Sequence, residues 1–310
     1  MAEVIITRRD SRRPAIHLDF TYTGEYRYQE SDVGWELRLL TSGTLTFLTP
    51  VREIDAFLVG GGGAGGSSGT STDYSYEQEK EVSYAVCGGG GGGGYAMTAR
   101  KIRTLSSKPI VFDVVVGAGG KSRTWRGEDG EGSSIFCKAI SYGVGVLGGL
   151  GGGGPKGDGE GDYLWLDGIP GNGGSAGGGG AEYFPYGKNV KYTSVPAGGS
   201  DGGNSDGYLS FTYTETDGST CEGASGHRGK GQQRTTRAFE EADGELFSGG
   251  GGGSSKELVG AGGLGGGGAG GLTNGVNGTP NTGGGGGGAA SGMGGNGGSG
   301  IVILRNSPRN

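Results

Sequence analysis

A mainly β fold merged with an ordered bundle of polyglycine II helices is the class this sequence predicts, on three observations. Glycine fills 82 of 310 positions, roughly four times its ordinary usage. It comes in bare runs at 60–63, 88–94, 151–154, 177–180, 249–253, 265–268 and 283–288. Short β-prone segments lead directly into several of these runs, and helix signals are almost missing.

Three states compete for glycine used so heavily. Flexible linkers are the usual meaning of such tracts. A collagen triple helix needs glycine at every third position and abundant proline, but only 9 prolines are present and no strict register persists. Polyglycine II helices have three residues per turn, a rise of about 3.1 Å and no internal hydrogen bonds. Lacking side chains, they can lie close enough for backbone N–H and Cα–H groups to reach neighbouring carbonyls.

Energetics favour the last state only if many tracts lie together. Fixing one residue's backbone costs about 1–2 kcal/mol, and glycine loses the most freedom of all. Hydrophobic residues make up 31% of the chain, so side-chain burial supplies only part of the compensation. Hydrogen bonds between tracts, at about 1 kcal/mol net each, must supply much of the rest. A lone tract has no partner for its N–H groups, and seven tracts meet that demand.

In chain order, residues 16–22 read as a strand. Residues 35–40 and 44–48 read as two more, joined at Thr41-Ser42-Gly43 as a hairpin. Residues 54–59 form a strand that enters the first tract, 110–116 one that enters Gly117-Ala118-Gly119-Gly120, and 134–140 one that leads towards 148–154. The 88–94 tract in turn runs into the strand 95–99. Residues 237–242 have room for a single helical turn. The organisation expected is an N-terminal β region, 1–59, and a glycine-rich region, 60–310, forming one composite domain. Polar inserts at 70–81, 123–131, 158–169, 182–195 and 208–216 carry many of the aromatics. Loops on a rigid scaffold commonly carry recognition; capping of the bundle ends is the competing role.

The remaining composition excludes more than it identifies. A net charge of -6 is not that of a nucleic-acid surface. Cys87, Cys137 and Cys221 have no CxxC spacing, so buried free thiols are expected. No signal-peptide pattern opens the chain and no apolar run is long enough to span a membrane. Synthesis in a cytoplasm without secretion or membrane insertion is the expectation. Val115 to Ser122 follows a strand as a P-loop would, but Val115 stands where the motif needs glycine, and no helix follows. His17 and His227 lack partners at ligand or triad spacing. The acidic runs 128–131, 158–162 and 240–245 miss the calcium-loop pattern. No enzyme, cofactor or metal site is expected. Asn277-Gly278-Thr279 is a formal glycosylation sequon that means little without a secretion signal.

Four pieces carry a resemblance: Leu45-Thr46-Phe47 with residues 54–63, residues 114–120, Thr235 to Phe239 with Leu246 to Gly249, and the ending 297–305. From about residue 35 to 305 the chain resembles glycine-rich domains of tailed-bacteriophage structural proteins. It is similar in architecture to polyglycine II sandwiches of tail-fibre adhesins. It also resembles the glycine-rich region of the anaplastic lymphoma kinase receptor, where a TNF-like, jelly-roll-type β-sandwich merges with glycine helices. It departs from the receptor in lacking a secretion signal and a set of disulfide cysteines, and from the adhesins in its larger N-terminal β portion.

That likeness implies a virion protein, most simply a tail-fibre tip or receptor-binding adhesin, with other virion proteins and a host cell-surface glycan or protein as partners. Tyr74, Tyr76, Trp125, Tyr163, Trp165, Tyr183, Phe184, Tyr186 and Tyr192 are then the candidate receptor contacts. A homotrimer suits both a TNF-like sandwich and a fibre. The alternatives are a capsid decoration, head-fibre or other tail structural protein and, less well matched, an ice-binding protein.

Overall fold

The computed structural model describes residues 3–6, 17–31, 34–75, 80–106, 109–153, 168, 170–183, 188–192, 197–205, 209–214, 218–225 and 229–307. Two β-sheets face each other. The first has the order β1 (Glu3–Ile6), β3 (Tyr26–Glu30), β4 (Trp35–Leu39), β17 (Ile301–Asn306), β6 (Glu53–Val59) and β9 (Ala96–Arg103). The second runs β12 (Tyr142–Val146), β11 (Ser133–Cys137), β10 (Ile110–Val115), β5 (Gly43–Phe47) and β2 (Phe20–Tyr22). All pairings in the two are antiparallel except β1 with β3.

Period-two patterning builds the sandwich core. Trp35, Leu37 and Leu39 alternate inward on β4, and Ile110, Phe112 and Val114 on β10. They meet Leu45, Phe47, Ile54, Leu58, Ile135 and Leu304 in one buried cluster. Cys87 and Cys137 are buried free thiols, with burial pushing the Cys87 thiol up to about 11. The side chain of Cys221 lies outside the described residues.

The hairpin expected across Thr41-Ser42-Gly43 does not form. β4 pairs with β3 and β17, whereas β5 pairs with β10 and β2 in the opposite sheet. Leu37 and Leu39 on one side, and Leu45 and Phe47 on the other, bury each other only if the chain crosses the sandwich between them. The corner is held by Leu40 N–H donating to the Glu25 carbonyl at 2.9 Å and Glu25 N–H donating to Thr41 Oγ1 at 2.8 Å. The strand 134–140 is also shorter than expected: β11 stops at Cys137, a 3-10 turn follows at Lys138–Ile140, and β12 completes the pair before the glycine begins.

At its centre the first sheet is buried on both faces, along β6 and the first four residues of β17, so β6 reads as a nearly unbroken apolar run. Its outer face, with Phe57, Val59, Ile301 and Ile303, is covered by Ala238, Phe239 and Phe247. In place of the single helical turn expected at 237–242, the cover makes a tight turn at Ala238–Glu240, with Phe239 at φ 55° and Glu240 at φ 56°, outside the right-handed helical region. Charges fasten it down. Buried Asp55 accepts from Lys101 N–H at 2.9 Å and Ser307 Oγ at 2.7 Å. It also lies 3.6 Å from the Arg305 guanidinium, which stacks 3.8 Å above the Phe239 ring and pairs with Glu241 at 2.7 Å.

Strands β6 and β9 continue directly into the glycine helices. From Gly60 to Ser68, successive N–H groups donate in rotation to Tyr95, Glu131, Gly298, Gly92, Glu128, Gly295, Gly89, Trp125 and Gly292 at 2.8–3.2 Å. Each neighbour is revisited every third residue while its acceptor number falls by three. That is the signature of antiparallel helices with three residues per turn. Residues 87–95 behave alike, donating in turn to segments 175–181, 283–289 and 147–153 at 2.7–3.0 Å.

Following these bonds places the helices in a hexagonal array of four rows. The first row is 171–174, 147–153 and 127–131. The second is 175–181, 87–95, 60–67 and 117–121, and the third is 197–199, 249–254, 283–289 and 292–299. Segments 258–264, 266–271 and 273–279 make the fourth. Helices 60–67, 87–95, 249–254 and 283–289 are enclosed on all six sides, and their glycines are buried. They hold four of the seven tracts of bare glycine, the three longest among them. A Cβ at Gly91 would stand 2.1 Å from the Gly63 carbonyl oxygen, and one at Gly88 1.8 Å from that of Gly66. Only hydrogen fits there.

Candidate recognition surface

The array has two ends, set apart by the length of its helices. Eight residues at about 3.1 Å each separate Gly60 from Ser68 by roughly 25 Å. The sandwich closes one end. At the other, helix 60–67 runs into β7 (Gly69–Ser75), and β8 (Lys80–Val86) leads into helix 87–95. Helix 175–181 ends in β13 (Glu182–Tyr183), which pairs with β8 to complete a three-stranded sheet. A further three-stranded sheet, β14 (Lys188–Tyr192), β15 (Leu209–Thr214) and β16 (Thr220–Ser225), follows in the chain. The described strands of the 70–81 insert, β7 and β8, pair antiparallel and are thus the prolongations of two interior glycine helices.

Trp125 is at this far end. Its carbonyl accepts from Ser67 N–H at 3.2 Å and its indole is half exposed, at 53%. Tyr74 is on β7 and Tyr183 on β13; through β8 their partners are Glu81 and Ala85, four positions apart on one strand. Tyr192 is on β14, opposite Phe211. Tyr76, Tyr163, Trp165, Phe184 and Tyr186 lie outside the described residues, as do the side chains of Tyr74, Tyr183 and Tyr192. The structure therefore gathers Trp125 and the strands bearing Tyr74 and Tyr183 at one end of the slab.

The insert 123–131 is not wholly a projecting loop. Gly127 and Gly130 pack inward and donate to Gly152 and Gly149, so residues 127–131 are a helix of the first row. The intervening side chains face out: Arg123 and Glu128 pair at 2.7 Å, Arg126 and Asp129 at 2.8 Å. The Arg123 guanidinium holds the Glu128 carboxyl below the usual range. This wall is charged; exposed pairs of this kind add little stability.

The opposite wall is different, and the sequence reading missed it. No charged residue occurs between Glu257 and Arg305. Helices 258–264, 266–271 and 273–279 and the link between the last two present Leu264, Leu272 and Val276, half exposed or more, beside Thr273 and Thr279. Met293 joins them at the far end, where its sulfur lies 3.7 Å from Ser67 Oγ. Three-residue spacing of Thr273, Val276 and Thr279 between inward Gly275 and Gly278 was the available signal.

The motifs weighed for chemistry are occupied by structure. Gly117 N–H donates to Ser133 Oγ and Gly120 N–H to the Gly62 carbonyl, both at 2.9 Å, so these amides are committed within the array. His17 has each ring nitrogen 2.9 Å from a carboxylate, Glu30 and Asp19. The Glu30 hydrogen bond holds its pKa above the ordinary value. His227 and the acidic run 158–162 lie outside the described residues. Among the described residues, no three acidic, histidine or cysteine side chains gather as a metal set.

A β-sandwich from which polyglycine II helices extend as a hydrogen-bonded slab defines a class of glycine-rich proteins built mainly from backbone. The profile described as "Glycine-rich domain" matches residues 40–307, and the chain belongs to that family. Among curated proteins none matches the chain.

Proposed function

We propose that this chain is a non-enzymatic structural protein of a tailed-phage virion, placed at a tail-fibre tip as a receptor-binding adhesin. The observation that carries this reading is the division of labour along the slab. A rigid backbone lattice about 25 Å long stands between the sandwich and an end where Trp125, β7 and β13 emerge together. Lattice hydrogen bonds of 2.7–3.2 Å tie that end to the sandwich, so contact groups there are held in fixed relation. Aromatic faces such as the Trp125 indole stack on sugar or peptide. The phage setting rests on the sequence resemblance, and the host partner would be a cell-surface glycan or protein.

Deleting residues 158–169, of which only Gly168 is among the described residues, is expected to abolish adsorption to host cells while the slab keeps its native circular dichroism. Adsorption that survives this and every other insert deletion would defeat the adhesin reading. The uncharged wall of helices 258–279 favours a second reading, a capsid-decoration, head-fibre or other tail structural protein whose contacts are with other virion subunits. Antibody labelling of intact particles separates the two: label at fibre tips supports the first, label on the head or along the tail the second.

A further inference from the structure

The chain contains four Asn-Gly pairs, at Asn172, Asn274, Asn277 and Asn296. In a loose chain this dipeptide is the one most prone to lose ammonia, because glycine leaves its backbone nitrogen free to reach the asparagine side chain. Here all four lie in helices at the edge of the array, and three share one arrangement. Lys230 N–H donates to Asn172 Oδ1 at 2.7 Å, while Gly173 N–H donates back to the Lys230 carbonyl at 3.1 Å. Met293 N–H donates to Asn274 Oδ1 at 3.0 Å, and Gly275 N–H to the Met293 carbonyl at 2.9 Å. Asn296 N–H donates to Asn277 Oδ1 and Gly278 N–H to the Asn296 carbonyl, both at 2.8 Å. Each pair thus grips both backbone groups of a single residue on the adjoining segment. Asn296 makes a looser version, accepting from Ser122 N–H at 2.8 Å while Gly297 donates to Gly120 at 2.9 Å.

The grip has a structural cause. A helix at the edge of the array lacks neighbours on one side, so some N–H groups there have no backbone carbonyl to meet. An asparagine side chain supplies the missing acceptor, and the glycine after it supplies the close approach.

We propose that these Asn-Gly pairs are deamidation sites that the lattice holds shut, each reacting only when its segment leaves the edge of the slab. In the reaction the glycine nitrogen, having given its proton to water or hydroxide, attacks Cγ of the preceding asparagine. The N–Cγ bond forms, the Cγ–Nδ2 bond breaks, and the Nδ2 amino group takes a proton from water and leaves as ammonia. Water then opens the resulting succinimide at either carbonyl, giving aspartate or isoaspartate. In the closed lattice the glycine N–H points at a carbonyl across the helix boundary, so the electron pair it would expose on deprotonation is aimed away from Cγ. Oδ1 is fixed by the same neighbouring residue, and ring closure requires that one of the two bonds be released.

The products differ in consequence. Aspartate keeps the acceptor and can return to the grip. Isoaspartate adds a methylene to the backbone, breaks the three-residue register and cannot reseat. Opening of an edge helix is therefore recorded covalently. None of this depends on the virion reading.

The test is peptide mapping by mass spectrometry of the full chain incubated at mildly alkaline pH, folded and in urea. Loss of ammonia at Asn172, Asn274 and Asn277 is expected to be at least about tenfold slower in the folded protein, as for a segment open a tenth of the time or less. Equal rates in the two states overturn the proposal. Met293→Pro removes the N–H that Asn274 accepts, and its fixed φ suits a three-residue extended helix. In that variant Asn274 is expected to react several times faster while Asn172 in the same molecule stays slow. An Asn274 as slow as before overturns the proposal. Lys230→Pro makes the reciprocal comparison, with Asn172 released and Asn274 as the control, should the first variant fail to fold.

Discussion

Gly91 shows what a single residue decides in this protein. Its N–H donates to Gly286 at 2.8 Å, its carbonyl accepts from Gly251 at 2.8 Å, and a Cβ would stand 2.1 Å from the Gly63 oxygen. The obstruction is backbone in a helix that itself has six neighbours, so no flexible side chain can yield. Gly91→Ala is expected to cost about 3 kcal/mol or more, the upper range for overpacking a filled interior. Ala261→Ser, on the exposed side of the fourth row, is expected to stay within about 0.5 kcal/mol. Urea midpoints of the two variants and the parent check this. Equal midpoints for Gly91→Ala and the parent would mean that the helices are not in backbone contact.

At the scale of elements, the segment covering the first sheet has a comparable role. Phe239 lies within van der Waals reach of Phe57 and under the Arg305 guanidinium, which is also one of the groups that compensate the buried Asp55 carboxylate. Phe239→Ala is expected to cost about 3–5 kcal/mol by calorimetry or denaturant titration, the range for removing a buried aromatic. A cost below about 1 kcal/mol would show the cover to be incidental packing. This segment also marks how far elements could be read from sequence. The strands entering glycine were legible because an apolar run ending in glycine has no other local meaning, as with β6 and β10. The interior helices were legible because only bare glycine fits six neighbours. Edge helices such as 127–131 and 273–279 need glycine only at every third residue, so the other two positions read as polar loop. The crossing between β4 and β5 was misread as a hairpin because Thr41-Ser42-Gly43 is a good turn sequence in either case. What decides between them is the long-range burial of Leu37 against Leu45. Of the candidate contacts, Trp125 stood out by residue type alone, whereas the uncharged wall is a property of three helices that no single segment displays.

The whole molecule is a lattice whose bonds join residues far apart in the chain, such as Gly62 with Gly298 and Gly66 with Ala289. Such non-local pairing makes folding slow and its interior cooperative. Helices 60–67 and 87–95 cannot open until their neighbours have moved, because every side is occupied by another helix's backbone. Edge helices 127–131 and 273–279 have an open side and can detach alone. Hydrogen exchange by mass spectrometry is therefore expected to proceed from the outside in. The amides of 273–279 and 127–131 should exchange through local openings. Those of 60–66 and 88–94 should exchange last, with a protection that falls in step with global stability as urea is added. Because glycine offers no side chain to slow exchange in an unfolded tract, protection of these amides has one source, the hydrogen bond to the adjoining helix. If 60–66 exchanged as fast as a free glycine peptide, the slab would not exist in solution, and the far end would have nothing rigid to stand on.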